Sequence, residues 1–155
     1  MDLERVDVQL PDREETPMVD RVRALQVEVS KLPQYEPQTK HYFHAGMYCR
    51  EVFRKADVLI IGKVHKKEHF YLIVSGVLSV TTDDGVQLVT GPKLILSKPG
   101  TKRAVYSHTD AVCMTFHRTD ATTVEDAEKE LVEDDPSSRF DAHNRVVSEA
   151  IEVIP

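Results

Sequence analysis

A chain of 155 residues, 41% of them hydrophobic, has material for one globular domain with its own core and too little for two of ordinary size. The formal charge is -6, no uncharged apolar run reaches 18 residues, and the opening MDLERVDVQLPDREE is acidic where a secretory leader is basic and then apolar. These features predict a soluble, intracellular protein with no membrane association. Cys49 and Cys113, the two cysteines, lack zinc-ribbon spacing and are too few for a disulfide framework, so both are expected as buried free thiols.

The charge is uneven. Residues 41–118 carry 11 Lys and Arg against 6 Asp and Glu, whereas residues 1–40 sum to -3 and residues 119–155 to -8. A basic centre suits an anionic small ligand, and acidic flanks argue against a nucleic-acid track. Aromatics are only 6% of the chain, which also speaks against base stacking.

In chain order, residues 1–16 show charge and turn formers without periodicity and read as an extended arm. Val22, Leu25, Val29 and Leu32 then recur at helical spacing between Thr16-Pro17 and Pro33, which predicts a short amphipathic helix. Pro33 to Pro37 form a linker into Lys40-His41-Tyr42-Phe43.

From residue 41 to 118 the period is that of strands, short and rich in Val, Ile, Thr and aromatics: 48–53, 58–64, 70–81, 86–90, 94–96, 104–107 and 112–117. Asp84-Gly85 between VLSVTT and VQLVT is a hairpin signal. Many short strands without a helical break predict an antiparallel sandwich or barrel. Alternation places His69, Tyr71 and Ile73 on one face.

After Thr119 the helical period returns. Thr122-Thr123-Val124-Glu125-Asp126 offers a Thr with an acid three residues on, the capping-box spacing, and Val124, Ala127 and Leu131 share a face. Asp134-Asp135-Pro136 breaks this helix. Phe140, Val146, Val147, Ala150, Ile151 and Ile154 then make a second helix or a docking arm.

Between the two acidic flanks, GKVHKKEHFYLIVSG at 62–76 and SKPGTKR at 97–103 carry a resemblance. A glycine, two histidines at a hairpin, an apolar strand ending in Ser-Gly, an Asp-Gly turn and a Pro-Gly turn are similar to the two motifs of the cupin family. The resemblance implies an all-β fold, a cupin-like double-stranded β-helix (a jelly-roll barrel), over 41–118, with an arm and helix at 1–40 and an acidic helix and tail at 119–155. It also implies four metal positions, which here read Lys63, His65, His69 and Arg103. Two of the four are cations, so a conventional metal cage is degenerate here. His65 and His69 are the metal candidates, for Fe, Zn, Mn or Ni, with Glu51, Glu68, His108 and His117 as residues the fold could add.

Lys63, His65, His69, Tyr71 and Arg103 together suggest an anion-binding barrel mouth, flanked by Lys66, Lys67, Lys98 and Lys102. Metal-free proton transfer by His65 or His69 with Tyr71 or Tyr106 is a further reading. The stretches Leu32-Pro33-Gln34, Tyr48-x-Arg50-Glu51 and Tyr106-x-His108, added to those above, resemble small cupin-like proteins of tailed bacteriophages. That resemblance implies an accessory protein in the host cytoplasm or a minor virion component. The expectation is thus a non-enzymatic binding or assembly protein, requiring no cofactor, that associates with itself or with other phage structural subunits. The alternative is a metal-dependent cupin enzyme of dioxygenase or isomerase type using His65 and His69.

Overall fold

The computed structural model describes residues 16–147; all but the last residue of the arm predicted at 1–16, and the apolar positions Ala150, Ile151 and Ile154, lie outside them. Among the described residues, nine strands follow one helix and precede another. The elements are α1 (Met18–Val29), β1 (Gln38–His44), β2 (Met47–Arg54), β3 (Leu59–Ile61), β4 (His69–Ser75), β5 (Val77–Thr82), β6 (Gly85–Thr90), β7 (Lys93–Ser97), β8 (Ala104–Ser107), β9 (Ala111–Arg118) and α2 (Val124–Leu131). Two antiparallel sheets face each other, one ordered β1-β2-β9-β4-β7 and the other β3-β8-β5-β6. This arrangement is the expected jelly roll, with one helix before the strands and one after them.

Alternation sorts the side chains. Tyr71 and Ile73 of β4, Leu78 and Val80 of β5, Val89 of β6, Val105 of β8 and Ala111 and Cys113 of β9 fill the space between the sheets. The predicted strand 70–81 divides at Gly76, whose φ of +99° admits no ordinary side chain, and a Cβ there would lie 2.5 Å from Cβ of Ala111. The Asp-Gly hairpin forms as predicted, with Thr82 paired to Gly85 across Asp83-Asp84. The stretch Lys40-His41-Tyr42-Phe43, into which the linker leads, belongs to β1, a strand that the short segments from 48 onward do not include. β1 pairs along its whole length with β2, from Gln38 opposite Phe53 to His44 opposite Met47.

The helix phase also differs. α1 ends at Val29, four residues before Pro33, and its buried residues are Val22 and Gln26, whereas Leu25 and Leu32 are exposed. Gln26 is buried because its amide donates to Asp135, so a polar side chain takes a place that hydropathy assigns to Leu25. Val22 packs on Ile61 and Ala104, and α1 thereby covers the outer side of β3 and β8. α2 starts at Thr123, whose Oγ1 accepts from the Asp126 N–H at 3.2 Å as its spacing predicts. Ala127 and Leu131 pack with Val132 against Tyr48 of β2. Of the two cysteines, Cys113 is buried and free, while Cys49 is free but half-buried, because β2 turns it away from the core.

Candidate functional site

The barrel interior opens at the end where α2 and the chain after it cross. The cavity there holds about 120 Å³, close to the ~150 Å³ that admits a benzene ring, and its wall includes all five predicted residues, Lys63, His65, His69, Tyr71 and Arg103. It also includes Arg50 and Arg54, inward-facing residues of β2 that the sequence reading did not assign to a site.

Three imidazoles meet at its edge. His69 is the first residue of β4, and the pairing of Phe70 with Phe116 sets it level with His117 on β9. His65 sits in the β3–β4 loop, held by three backbone contacts: its N–H donates to Thr101, its carbonyl accepts from Gly100, and it bridges Val132 after α2. The ring centroids of His65 and His69 are 4.2 Å apart, of His69 and His117 4.3 Å, and of His65 and His117 5.2 Å. One nitrogen from each ring lies within 4.8 Å of the others.

Each ring is kept neutral. Burial pushes His65 well below the ordinary imidazole range, helped by His69, His117, Arg50 and Arg103. Burial, then His69 and Arg50, bring His117 down to about 3. His69 is lowered mainly by burial, against a hydrogen bond to the Lys67 carbonyl. That 3.2 Å bond engages Nδ1 of His69 and leaves Nε2 for the cavity. Nδ1 of His65 and of His117 are buried without a hydrogen-bond partner. Three neutral imidazoles with free lone pairs, converging in this way, fit a first-row transition ion.

The other predicted residues divide. Lys63 Nζ lies 3.4 Å from Glu128 Oε2, an ion pair with α2. Arg103 donates to the Thr81 carbonyl and to Ser97 Oγ, both at 2.8 Å, and its guanidinium lies 5.6 Å from the Tyr71 ring centre. Both cations are therefore largely engaged by protein groups. By contrast, Nε of Arg50 and Nε and Nη1 of Arg54 are buried with no hydrogen-bond partner of good geometry, as is the Tyr71 hydroxyl, although Arg54, Tyr71 and Cys113 lie close enough to interact weakly with one another. Burial holds Tyr71 firmly as a phenol. Among the described residues no carboxylate pairs with Arg50, Arg54 or Arg103. Of the acids in the wall, Glu128 is ion-paired with Lys63, and Asp141 accepts from the backbone N–H groups of His143 and Arg145.

Of the residues held in reserve, only His117 points inward to the cluster. Glu51 accepts from Tyr42 on the outer face of β2, Glu68 is exposed, and His108 bonds Ser79 on the outside of the second sheet. Tyr106 also faces outward, donating to Asp57, so it cannot serve as the acid of a cavity reaction. The lysines expected around the mouth are not all solvated: Lys66 donates to the Lys129 carbonyl, Lys67 pairs with Glu130, and Lys102 is buried on Asp135 and the Gly62 carbonyl. Alternation along Cys113-x-Thr115-x-His117 and Tyr48-x-Arg50-x-Val52-x-Arg54 is the signal that would have found His117 and the two arginines.

No family model matches the sequence, and no curated protein matches it. Solved structures do resemble the fold. They include the cupin-2 domain of an XRE family transcriptional regulator from Enterobacter cloacae (10% identity, 56% of this chain and 100% of that one, TM-score 0.48). Another is KdgF from Halomonas sp. (10% identity, 57% and 84%, TM-score 0.49). A third is salicylate 1,2-dioxygenase from Pseudoaminobacter salicylatoxidans (9% identity, TM-score 0.49), where the match spans 64% of this chain and 31% of the dioxygenase. No helix among the described residues is long and apolar enough to cross a membrane.

Proposed function

We propose that the barrel is a small-molecule site that holds a transition ion on His65, His69 and His117 and a small anion on Arg50 and Arg54. One observation carries the reading: a buried cavity is lined by His65, His69, Arg50 and Arg54, His117 closes the imidazole cluster at its edge, and among the described residues no carboxylate is ion-paired with the two guanidiniums. Leaving a guanidinium in such a place without a counter-charge costs several kcal/mol, so the complementary ligand is an anion. Its size is that of a small carboxylate. Tyr71 adds a hydroxyl donor beside Arg54, which suits one oxygen of that carboxylate.

When bound, the ion would supply a Lewis acid or a redox centre. The chain's own part is to orient and to screen. The Lys67 carbonyl fixes the tautomer of His69, and α2 and the loop at 100–101 hold His65 in place. The charge of Arg50 bears on His65 and His117 and opposes a cation there, so an anion on the arginines strengthens the metal site and the metal strengthens the anion's.

This reading favours the metal-dependent alternative, enlarged from two histidines to three. The non-enzymatic binding reading uses the same cavity, and its phage-type accessory or virion role draws on the motif resemblance alone. The test is the melting temperature of untagged, nickel-loaded protein with and without benzoate, acetate or inorganic phosphate. A carboxylate at 100 times its dissociation constant stabilises by about 2.7 kcal/mol, a rise of several degrees. Arg54→Gln should abolish the rise. No shift with any of the three anions, or an equal shift in Arg54→Gln, would overturn the anion half of the proposal.

A further inference from the structure

The outer face of the five-stranded sheet has no covering element among the described residues, whereas α1 covers part of the other sheet. Cross-strand register assembles this face into rows. Tyr42, Cys49, Phe116, Phe70 and Leu96 stand side by side from β1 through β2, β9 and β4 to β7. The next row runs Lys40, Glu51, Met114, Leu72 and Leu94, and beyond it Phe53 pairs with Val112. Their strand neighbours Tyr71, Ile73 and Cys113 are in the core, so alternation turns the rows outward.

The rows are apolar and exposed together. Tyr42 is 48% accessible, Phe70 48%, Leu94 54% and Leu96 57%, with Met47 at 53% beside them. With the half-buried members, the accessible area of the face is on the order of 800 Å², which is what one partner contributes to a standard stable interface and exceeds the largest patch usual on a monomer. The charges in the face are Lys40 and Glu51, opposite each other on β1 and β2, and Arg118 at one corner.

We infer that this face is a homodimer interface, in which two copies pack their five-stranded sheets face to face about a two-fold axis. A second copy fits because the patch is self-complementary: its centre on β9, β4 and β7 carries no charge to repel its twin, and the Lys40–Glu51 pair can meet the same pair reversed. A lipid surface would call for a basic rim, which a chain of net charge -6 does not offer here, where Lys40 stands opposite Glu51 and Arg118 stands at one corner. The inference is independent of the cavity, which opens on the opposite side of the same sheet's residues.

Sedimentation equilibrium of the full chain at micromolar concentration tests it. The wild type should sediment at twice its 17.6 kDa chain mass. Leu94→Glu with Leu96→Glu should sediment as a monomer, with at least a hundredfold weaker association and an unchanged circular dichroism spectrum. Leu88→Glu, 70% exposed on the outside of the other sheet, should stay dimeric. If the double variant fails to fold, Leu96→Glu alone is measured against Leu88→Glu. A monomeric wild type, as when the chain's own ends cover the face, overturns the inference; so does a folded Leu96→Glu variant that associates like the wild type.

Discussion

Asp135→Ala probes how the chain after α2 is fastened over the barrel mouth. Lys102 is 3% exposed, and its ammonium donates to Asp135 Oδ2 at 3.1 Å and to the Gly62 carbonyl at 2.8 Å; the same carboxylate oxygen accepts from Gln26 of α1 at 3.2 Å. Burial pushes the Lys102 ammonium down from its ordinary range, against the hydrogen bond and charge of Asp135. Removing the acid leaves a buried cation with one carbonyl, a change that costs ~3–5 kcal/mol when both partners are fully buried. Asp135 keeps 18% of its side chain exposed, so water can reach the vacated place, and about 2–3 kcal/mol is the better figure. In a domain of this size that lowers Tm by roughly 5–10 °C. Urea unfolding followed by circular dichroism measures it, with the slope m unchanged if the loss is in the native state. Lys102→Met with Asp135→Ala removes the stranded charge and should recover at least half of the loss. The reasoning fails if Asp135→Ala unfolds within about 0.5 kcal/mol of wild type, or if the double variant is worse than the single.

Two further outcomes follow from buried groups. His117 has a folded-state pKa of about 3 against 6.5 when unfolded, so its neutral form is favoured by folding: stability is complete above pH 6.5 and falls as the unfolded chain takes up protons below it. For metal-free protein this amounts to roughly 2–3 kcal/mol lost by pH 4.5 from His117 alone, and His117→Asn should flatten the urea-midpoint profile between pH 6.5 and 4.5; an equally steep profile in the variant contradicts it. Gly76→Ala places a methyl 2.5 Å from Cβ of Ala111 and 2.7 Å from the Asp110 carbonyl at a φ of +99°, so a loss of at least about 3 kcal/mol and poor soluble yield are expected. A variant as stable as wild type would show that the β4–β5 junction relaxes freely.

The barrel was legible in the sequence because each strand declares itself locally. The period-2 pattern, the Asp-Gly turn and Gly76 fix the pleat, and the alternation that points His69, Tyr71 and Ile73 to one face holds in β4. The site was legible only in part, because it is assembled across the sheet. His69 and His117 are 48 residues apart in sequence and level in space through the β4–β9 register, which no local motif encodes. Arg50 and Arg54 alternate inward like any core pair, but arginine at such positions is ordinarily read as surface. The helix phase of α1 was misread for a related reason: Gln26 is buried by a partner 109 residues away. Metal positions inferred from the motif resemblance gave Lys63 and Arg103, and both spend their charge on neighbours in this chain, Glu128 in one case and Thr81 with Ser97 in the other.

The three-imidazole cluster is the centre of the account, and His117 is the residue that separates it from a two-histidine site. Untagged protein stripped with a chelator and titrated with cobalt(II), followed by calorimetry and by the visible spectrum of the bound ion, tests it most directly. Wild type should bind one equivalent, and His117→Ala should bind at least a hundredfold more weakly, while His108→Ala, altered on the outside of the other sheet, should match wild type. Binding by His117→Ala as tight as by wild type, or no binding by wild type with or without benzoate, would contradict it.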